Sequence, residues 1–181
     1  LGNPPMRGRA PSFRRVGALA AAQLLAPLLL LGCAHTLGEL RRALREPGEK
    51  LVTLPDDVSG EYACAERALP FFTLEGHELN PSRLGAGEEF NHRLVYVLCP
   101  AQPTAVVRGT LTTRIRFEGS VVAQEQVPDF EIKPGRWIVD AFVQLPADAE
   151  IGIYALEVLF EGEGVKVDER LTFGVDRTGP G

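Results

Sequence analysis

The sequence predicts an all-β fold, an antiparallel β-sandwich of about seven or eight strands over residues 61–175. From Glu61 onward, apolar and polar residues alternate, which is typical of strands that turn one face to a core. Turn-forming residues interrupt the alternation every eight to twelve positions, a spacing typical of sandwiches. Residues 33–181 are also numerous enough for one domain with its own core.

Eight segments carry the alternation. They are Leu69–Leu74, Phe90–Cys99, Val106–Glu118, Val121–Gln126, Phe130–Lys133, Trp137–Leu145, Ile153–Glu161 and Val165–Val175. The third is the clearest, because Leu111, Ile115 and Phe117 fall on one face, whereas the other face carries Arg108, Thr110, Thr112, Arg114 and Arg116. The turn residues Gly119 and Ser120 then lead into the next strand.

The segment Asp148–Leu156 carries a more specific pattern. An Asp is followed by a Tyr at position 154, with Gly152 two residues before the ring. This arrangement resembles the tyrosine corner of immunoglobulin-like domains, where the hydroxyl bonds back to the preceding turn. The resemblance extends over Leu69–Val175 and implies an Ig-like sandwich of the kind found in bacterial envelope proteins. Leu156 stands where antibody domains place a cysteine, so the inter-sheet disulfide of that family is absent.

The N-terminal region has the parts of a secretory signal. Four arginines precede an apolar, mostly Ala and Leu run at Val16–Leu31. The sequence Leu30-Leu31-Gly32-Cys33 at its end resembles the lipobox of bacterial lipoproteins. This resemblance implies cleavage after Gly32 and a lipid anchor on Cys33. The residue after the cysteine is Ala34 and not Asp, which resembles lipoproteins that are sorted to the outer membrane. The alternative is an uncleaved membrane-spanning helix, for which the run is short.

The predicted organisation has four parts. Residues 1–32 form the signal peptide, 33–60 a lipidated N-terminus with a short helix and linker, 61–175 the sandwich and 176–181 a disordered tail. The helix signal is a capping box formed by Thr36 and Glu39, and Pro47 and Gly48 end it. Residues 46–60 are rich in Pro, Gly and Asp and therefore read as a linker. Some 35 residues after Cys33 would then act as a leash to the membrane.

Charge and cysteine content agree with an exported domain. Residues 33–181 hold 15 Lys and Arg against 24 Asp and Glu, a net charge of −9, which disfavours nucleic acid as a partner. With Cys33 lipidated, Cys64 and Cys99 remain. In an oxidising compartment an even pair is most simply a disulfide; the alternatives are two free thiols or a metal site, for which further ligands are lacking. Closing a loop of about 35 residues would stabilise the fold by roughly 3 to 4 kcal/mol.

Catalytic and cofactor motifs are absent from the sequence. No serine lies in a nucleophile elbow, and the three histidines show neither HExxH nor CxxC spacing. The carboxylates spread along predicted turns and solvent faces instead of forming an acid pair. The sequence therefore predicts a non-catalytic protein with no metal and no cofactor.

Two features could mediate binding. Arg108, Arg114 and Arg116 form an arginine stripe on one strand face, unless cross-strand acids such as Glu125 or Asp140 neutralise them. Trp137 lies on a strand that is apolar on both faces, which favours burial in the core over a partner contact.

These observations favour a lipid-anchored interaction or structural module, with the membrane and an envelope protein as its partners. Its contacts would use a face or an edge strand of the sandwich. The alternative is a glycan-binding lipoprotein, which would need an aromatic platform in a chain with one Trp and three Tyr. An enzyme fits least well, because no cluster of titratable residues is evident.

Overall fold

A computed structural model describes residues 45–177, in which nine strands form two packed sheets, as expected of an all-β sandwich. The elements are β1 Gly48–Thr53, α1 Pro55–Glu61, a 3-10 turn Cys64–Glu66, β2 Phe71–Asn80, β3 Arg83–Gly85, β4 Glu89–Cys99, β5 Val107–Phe117, β6 Ser120–Ile132, β7 Gly135–Gln144, β8 Gly152–Gly162 and β9 Val165–Asp176. No helix among these residues has the length and apolar character needed to cross a membrane.

The strands are divided between a four-stranded and a five-stranded sheet. Sheet A has the order β1-β7-β4-β2, and sheet B has the order β3-β9-β8-β5-β6. All neighbouring strands are antiparallel except β3 and β9. Strands β2 and β9 lie against each other across the sandwich. Within the described residues, the outer strands β1, β2, β3 and β6 therefore form the sheet edges.

The core lies between the inner faces of the two sheets. At one end, the ring centroids of Phe90 and Tyr154 lie 4.9 and 5.4 Å from that of Phe173. At the other end, Tyr96, Leu98, Val107, Ile132, Phe160 and Val165 form a second buried cluster. The strict alternation within β4, β5 and β8 places these side chains inward, because residues two apart share a face.

Tyr154 makes the hydrogen bond to the preceding turn that its sequence motif predicts. The Tyr154 hydroxyl donates to the carbonyl oxygen of Glu150 at 2.9 Å, and the ring is buried. The bond fixes the loop before β8 against the core.

Residues 46–60 are not the irregular linker expected from their composition. They contain β1, in which Leu51 pairs with Trp137 of β7, and the helix α1. The Pro and Asp residues that suggested a linker are N-terminal helix signals, because Pro55 occupies the first turn and Asp56 and Asp57 complement the helix dipole. The sandwich thus begins before residue 61.

Helix α1 covers part of the outer face of sheet A. Val58 is fully buried against Val97, and the disulfide between Cys64 and Cys99 closes the same cluster. The two sulfur atoms are 1.97 Å apart and the Cα atoms 5.8 Å apart, which confirms the pairing expected for these cysteines. The bridge joins the segment after α1 to the end of β4.

Strand β6 joins the predicted segments Val121–Gln126 and Phe130–Lys133, with Pro128 between them. The break was wrong, because β6 lies at a sheet edge, where the missing N–H of a proline removes no interstrand bond. Asp129 absorbs the irregularity with a φ of 54°, and the register shifts between Gly109 and Leu111 of β5.

Two further edge strands, β2 of sheet A and β3 of sheet B, also differ from expectation. Strand β2 continues past Leu74 to Asn80 through a bulge before Gly76, and the short β3 was not predicted. A bulge interrupts the alternation, which is why the pattern ended early.

Candidate functional site

The arginine stripe lies on the outer face of sheet B. Arg108 Nη2 lies 2.6 Å from Oε1 of Glu131, and Arg116 Nε lies 2.8 Å from Oε2 of Glu157. Both acids stand on strands that neighbour β5, so cross-strand pairing neutralises two of the three cations.

The acids that pair with the stripe differ from those expected. Asp140 lies on sheet A, and Glu125 pairs in register with Thr113, on the face opposite Arg114. Arg114 donates from Nε to the amide oxygen of Gln124 at 2.9 Å. Within the described residues, Arg114 is thus the stripe's one member without an acidic partner.

A shallow groove of about 440 Å³ lies beside Arg114 on the same face. Its floor contains Thr112, which is only 7% exposed although it faces outward. Lys166 and Asp168 of β9 and Gln126 of β6 contribute to its walls. The groove offers hydrogen-bond donors and acceptors, and its cations and acids are balanced.

Trp137 lies on the inner face of β7, half-buried against the core. It packs against the cluster around Tyr96, and its indole Nε1 donates to the carbonyl oxygen of Pro134 at 2.9 Å. Lys133 lies 5.2 Å from the ring centroid. The structure thus places Trp137 where the apolar faces of its strand suggested.

A polar network lies on the outer face of sheet A. Asp140 accepts from Arg93 at 2.9 and 2.7 Å and from Asn91 at 3.0 Å. Asn91 in turn accepts from Arg45 at 2.6 Å, and Arg45 also contacts Glu78. Burial opposes ionisation of Asp140, but the bonds from Arg93 and Asn91 outweigh it and keep the pKa of this carboxyl below its ordinary value. The network fixes the segment before β1 to the sheet.

A second polar cluster joins α1 to sheet A. Arg136 donates to Glu75 at 2.7 and 2.8 Å and to Glu61 at 2.6 Å, and Glu75 also accepts from the hydroxyl of Tyr62. The bonds from Arg136 lower the pKa of Glu75, and the bond to Glu75 raises the pKa of Tyr62. The partners of Arg136 come from α1 and β2, which indicates a structural role.

Two histidines meet inside the sandwich. Nε2 of His77 lies 2.8 Å from Nε2 of His92, and Nδ1 of His77 lies 3.6 Å from Glu169 of β9. Burial lowers the pKa of His92 to about 4, with a further contribution from His77, and burial also lowers the pKa of His77. This pair could not be predicted from the sequence, because 15 positions separate its members and only the pairing of β2 with β4 brings them together.

Strand β6 is the most exposed element of the described chain. Its residues from Ser120 to Asp129 are all exposed, and it pairs with β5 on one side only. Val121, Val122 and Val127 are 44%, 54% and 38% exposed. The open side of β6 presents backbone N–H and C=O groups that no neighbouring strand pairs, next to these exposed valines. We call this surface the β6 edge.

Residues 45–177 contain no cluster of side chains arranged as a metal site. No group of three or more His, Cys, Asp or Glu side chains in this range is placed to hold a metal ion. The predicted lipidation site Cys33, the signal peptide, most of the helix expected from Thr36 and the tail beyond Arg177 lie outside the described residues. Asp176, assigned to the tail, is the last residue of β9.

No family model and no curated protein matches the chain. Among solved structures, Spo0M, a sporulation control protein of Bacillus subtilis, is 16% identical, with 58% of this chain and 49% of that chain covered and a TM-score of 0.42. The DNA glycosylase AlkC of Pseudomonas fluorescens is 12% identical, with 57% of this chain and 30% of that chain covered and a TM-score of 0.41. The CARDB domain of the PF1109 protein of Pyrococcus furiosus is 17% identical, with 59% of this chain and 86% of that chain covered and a TM-score of 0.36. The chain thus spans half or less of the first two, and these partial likenesses carry no argument about function.

Proposed function

We propose that the chain is a lipid-anchored, non-catalytic module of the bacterial envelope that holds a partner protein against its sandwich. The observation that carries this proposal is the β6 edge, which leaves three valines and a row of backbone groups without a described partner. Exposed strand edges bind other chains by strand addition, in which main-chain hydrogen bonds supply affinity and side chains supply selectivity.

The cysteines support an exported location. The bridge between Cys64 and Cys99 is typical of oxidising compartments, and it leaves Cys33 available for the lipid that the lipobox implies. The acidic balance of residues 33–181 disfavours nucleic acid as the partner.

The proposed fold type is Ig-like. The support is the hydrogen bond from Tyr154 to Glu150, which matches the tyrosine corner of that class. Ig-like sandwiches serve many functions, so the fold type agrees with a binding module without selecting it.

The anchor is tested by changing Cys33→Ser in the native cell. The wild-type chain should fractionate with membranes, and the variant should be released to the soluble fraction with an unchanged disulfide. A variant that stays in the membrane fraction would contradict the lipid anchor and favour the uncleaved helix.

The holding role is tested by crosslinking the anchored chain in its own cells, followed by purification and mass spectrometry. We expect one envelope protein to co-purify in fixed proportion with the wild-type chain. A chain that crosslinks to no specific protein, and instead converts or binds a small molecule, would contradict the proposal.

A glycan-binding role is the second candidate, and the groove beside Arg114 favours it. Thr112, Gln126 and Asp168 could hydrogen-bond to sugar hydroxyls there, although the groove lacks an exposed aromatic platform. Titration with envelope glycans should show binding that Arg114→Ala abolishes. Arg170→Ala, on the same face but outside the groove, should leave that binding unchanged.

A further inference from the structure

We propose that the β6 edge binds an extended segment of the partner in which apolar, basic and apolar side chains occupy alternate positions. This inference rests on the proposed interaction role and adds the chemistry of the partner. It depends on three features of β6, which are its open side, an uncovered part of its inner face and its charge.

The first feature is a regular stretch of strand with one free side. From Ala123 to Val127 each residue pairs with one residue of β5, from Ile115 to Leu111, without a register shift. A strand that lies alongside this stretch can therefore form continuous backbone hydrogen bonds.

The second feature is the part of the inner face at Ala123 to Val127, which no described strand covers. Residues directly opposite in a ladder point to the same face, so Ala123, Glu125 and Val127 share the face of Ile115 and Leu111. Ile115 is 7% exposed and belongs to the core, whereas Val127 is 38% exposed. Sheet A therefore ends short of this part of β6, and an added strand would supply apolar cover for Val127.

The third feature is the sign of the charge. Strand β6 contains Glu125, Asp129 and Glu131 but no Lys or Arg. Glu131 is paired with Arg108, while Glu125 and Asp129 have no ion-pair partner among the described residues. A basic side chain beside Glu125 would meet an unpaired carboxylate that lies between two apolar neighbours.

The same charge argues against a second copy of this chain as the occupant. Two β6 strands would bring two sets of unpaired acids together, and like charges in an added ladder destabilise it. An inward-facing charge such as Glu125, with Pro128 beyond it, is also a common protection against pairing of identical edges.

The test uses the full chain with Cys33→Ser and two synthetic peptides. The probe is Thr-Val-Thr-Lys-Thr-Val-Thr with blocked ends, and its counterpart carries Glu in place of Lys. We expect the Lys peptide to bind at least tenfold more tightly than the Glu peptide at low salt, and the preference to fall as salt is raised.

Charge exchange and backbone methylation locate the contact. Glu125→Lys should weaken the Lys peptide about tenfold and strengthen the Glu peptide. Asp168→Lys, the same change on the outer face of β9, should alter neither. N-methylation along one edge of the peptide should abolish binding, and methylation along the other edge should not, because only one edge meets β6.

Several results would overturn the proposal. They are absence of binding below about 1 mM, equal binding of both peptides, and a dimer of the free chain that changes at β6 abolish. A native partner crosslinked to another surface would overturn this inference and leave the proposed function intact. A chain that holds no partner in cells would overturn the proposed function, whatever the peptides show.

Discussion

The contact between His77 and His92 imposes a protonation rule on the sandwich interior. At an Nε2 to Nε2 distance of 2.8 Å, one ring must donate and the other accept, so two charged rings would place donors against each other. His92 is 5% exposed, so its ring is largely shielded from the solvent that could replace the lost bond. The folded chain therefore keeps His92 neutral.

Acid should weaken the fold through this residue. The pKa of His92 is about 4 when folded, against 6.5 for an ordinary histidine, so the unfolded chain binds the additional proton. The contribution of neutral His92 to the free energy of unfolding is fully present above pH 6.5 and is lost as pH falls toward 4. We expect a loss on the order of 3 kcal/mol across this window, measured by denaturant unfolding. His92→Gln should flatten the curve between pH 6.5 and 4.5, and an unchanged slope in the variant would contradict the account.

Ion pairs on the two sheets should differ in value. Asp140 is buried and bonds Arg93 and Asn91, whereas Glu131 meets Arg108 at the exposed edge. Asp140→Asn should cost about 3 kcal/mol because it removes the charge partner of the partly buried Arg93 next to the buried Asn91. Glu131→Gln, the matched change, should cost less than about 1 kcal/mol. Equal losses in urea unfolding would contradict the claim that the buried network contributes more stability than the exposed pair.

At the scale of elements, α1 depends on packing more than on its own sequence. It has seven residues, no side-chain cap and a glycine, so it would not persist alone. Val58 and the disulfide hold it on sheet A. A residue in a predicted linker can thus lie in the core.

Val58→Ala should accordingly destabilise the domain by about 2 kcal/mol, since it opens a cavity under α1. Val52→Ala provides the matched control, because Val52 is half exposed on β1 and its loss should cost less than about 0.5 kcal/mol. The measurement is the free energy of unfolding of both variants. A neutral Val58→Ala would mean that α1 is not integral to the sandwich.

The elements also mark what the sequence can predict. Alternation located β4, β5, β8 and β9 well, because each turns a full apolar face to the core. It failed at β1, β3 and the bend of β6, since edge strands are short or exposed and lack such a face. Whether Arg114 is paired, and that His77 meets His92, depends on strand register, which periodicity within one strand does not reveal.

On the scale of the whole molecule, the fixed domain begins closer to Cys33 than its composition suggested. Arg45 is bound to Asn91 and Glu78, so the part of the chain that is fixed to the sheets extends at least to Arg45. Eleven residues, which span at most about 40 Å, separate Arg45 from Cys33. The lipid that we propose on Cys33 would therefore hold the sandwich near the membrane.

Site-specific photo-crosslinking in the native cell tests this account most directly. A photoreactive residue would replace Val122 or Val127 on β6 and, as controls, Leu159 in the groove region of sheet B or Val52 on β1. We predict that both β6 positions capture the same envelope protein through an extended segment with a basic residue, and that the controls do not. Capture at Leu159 or Val52, with none from β6, would contradict the claim that this edge holds the partner.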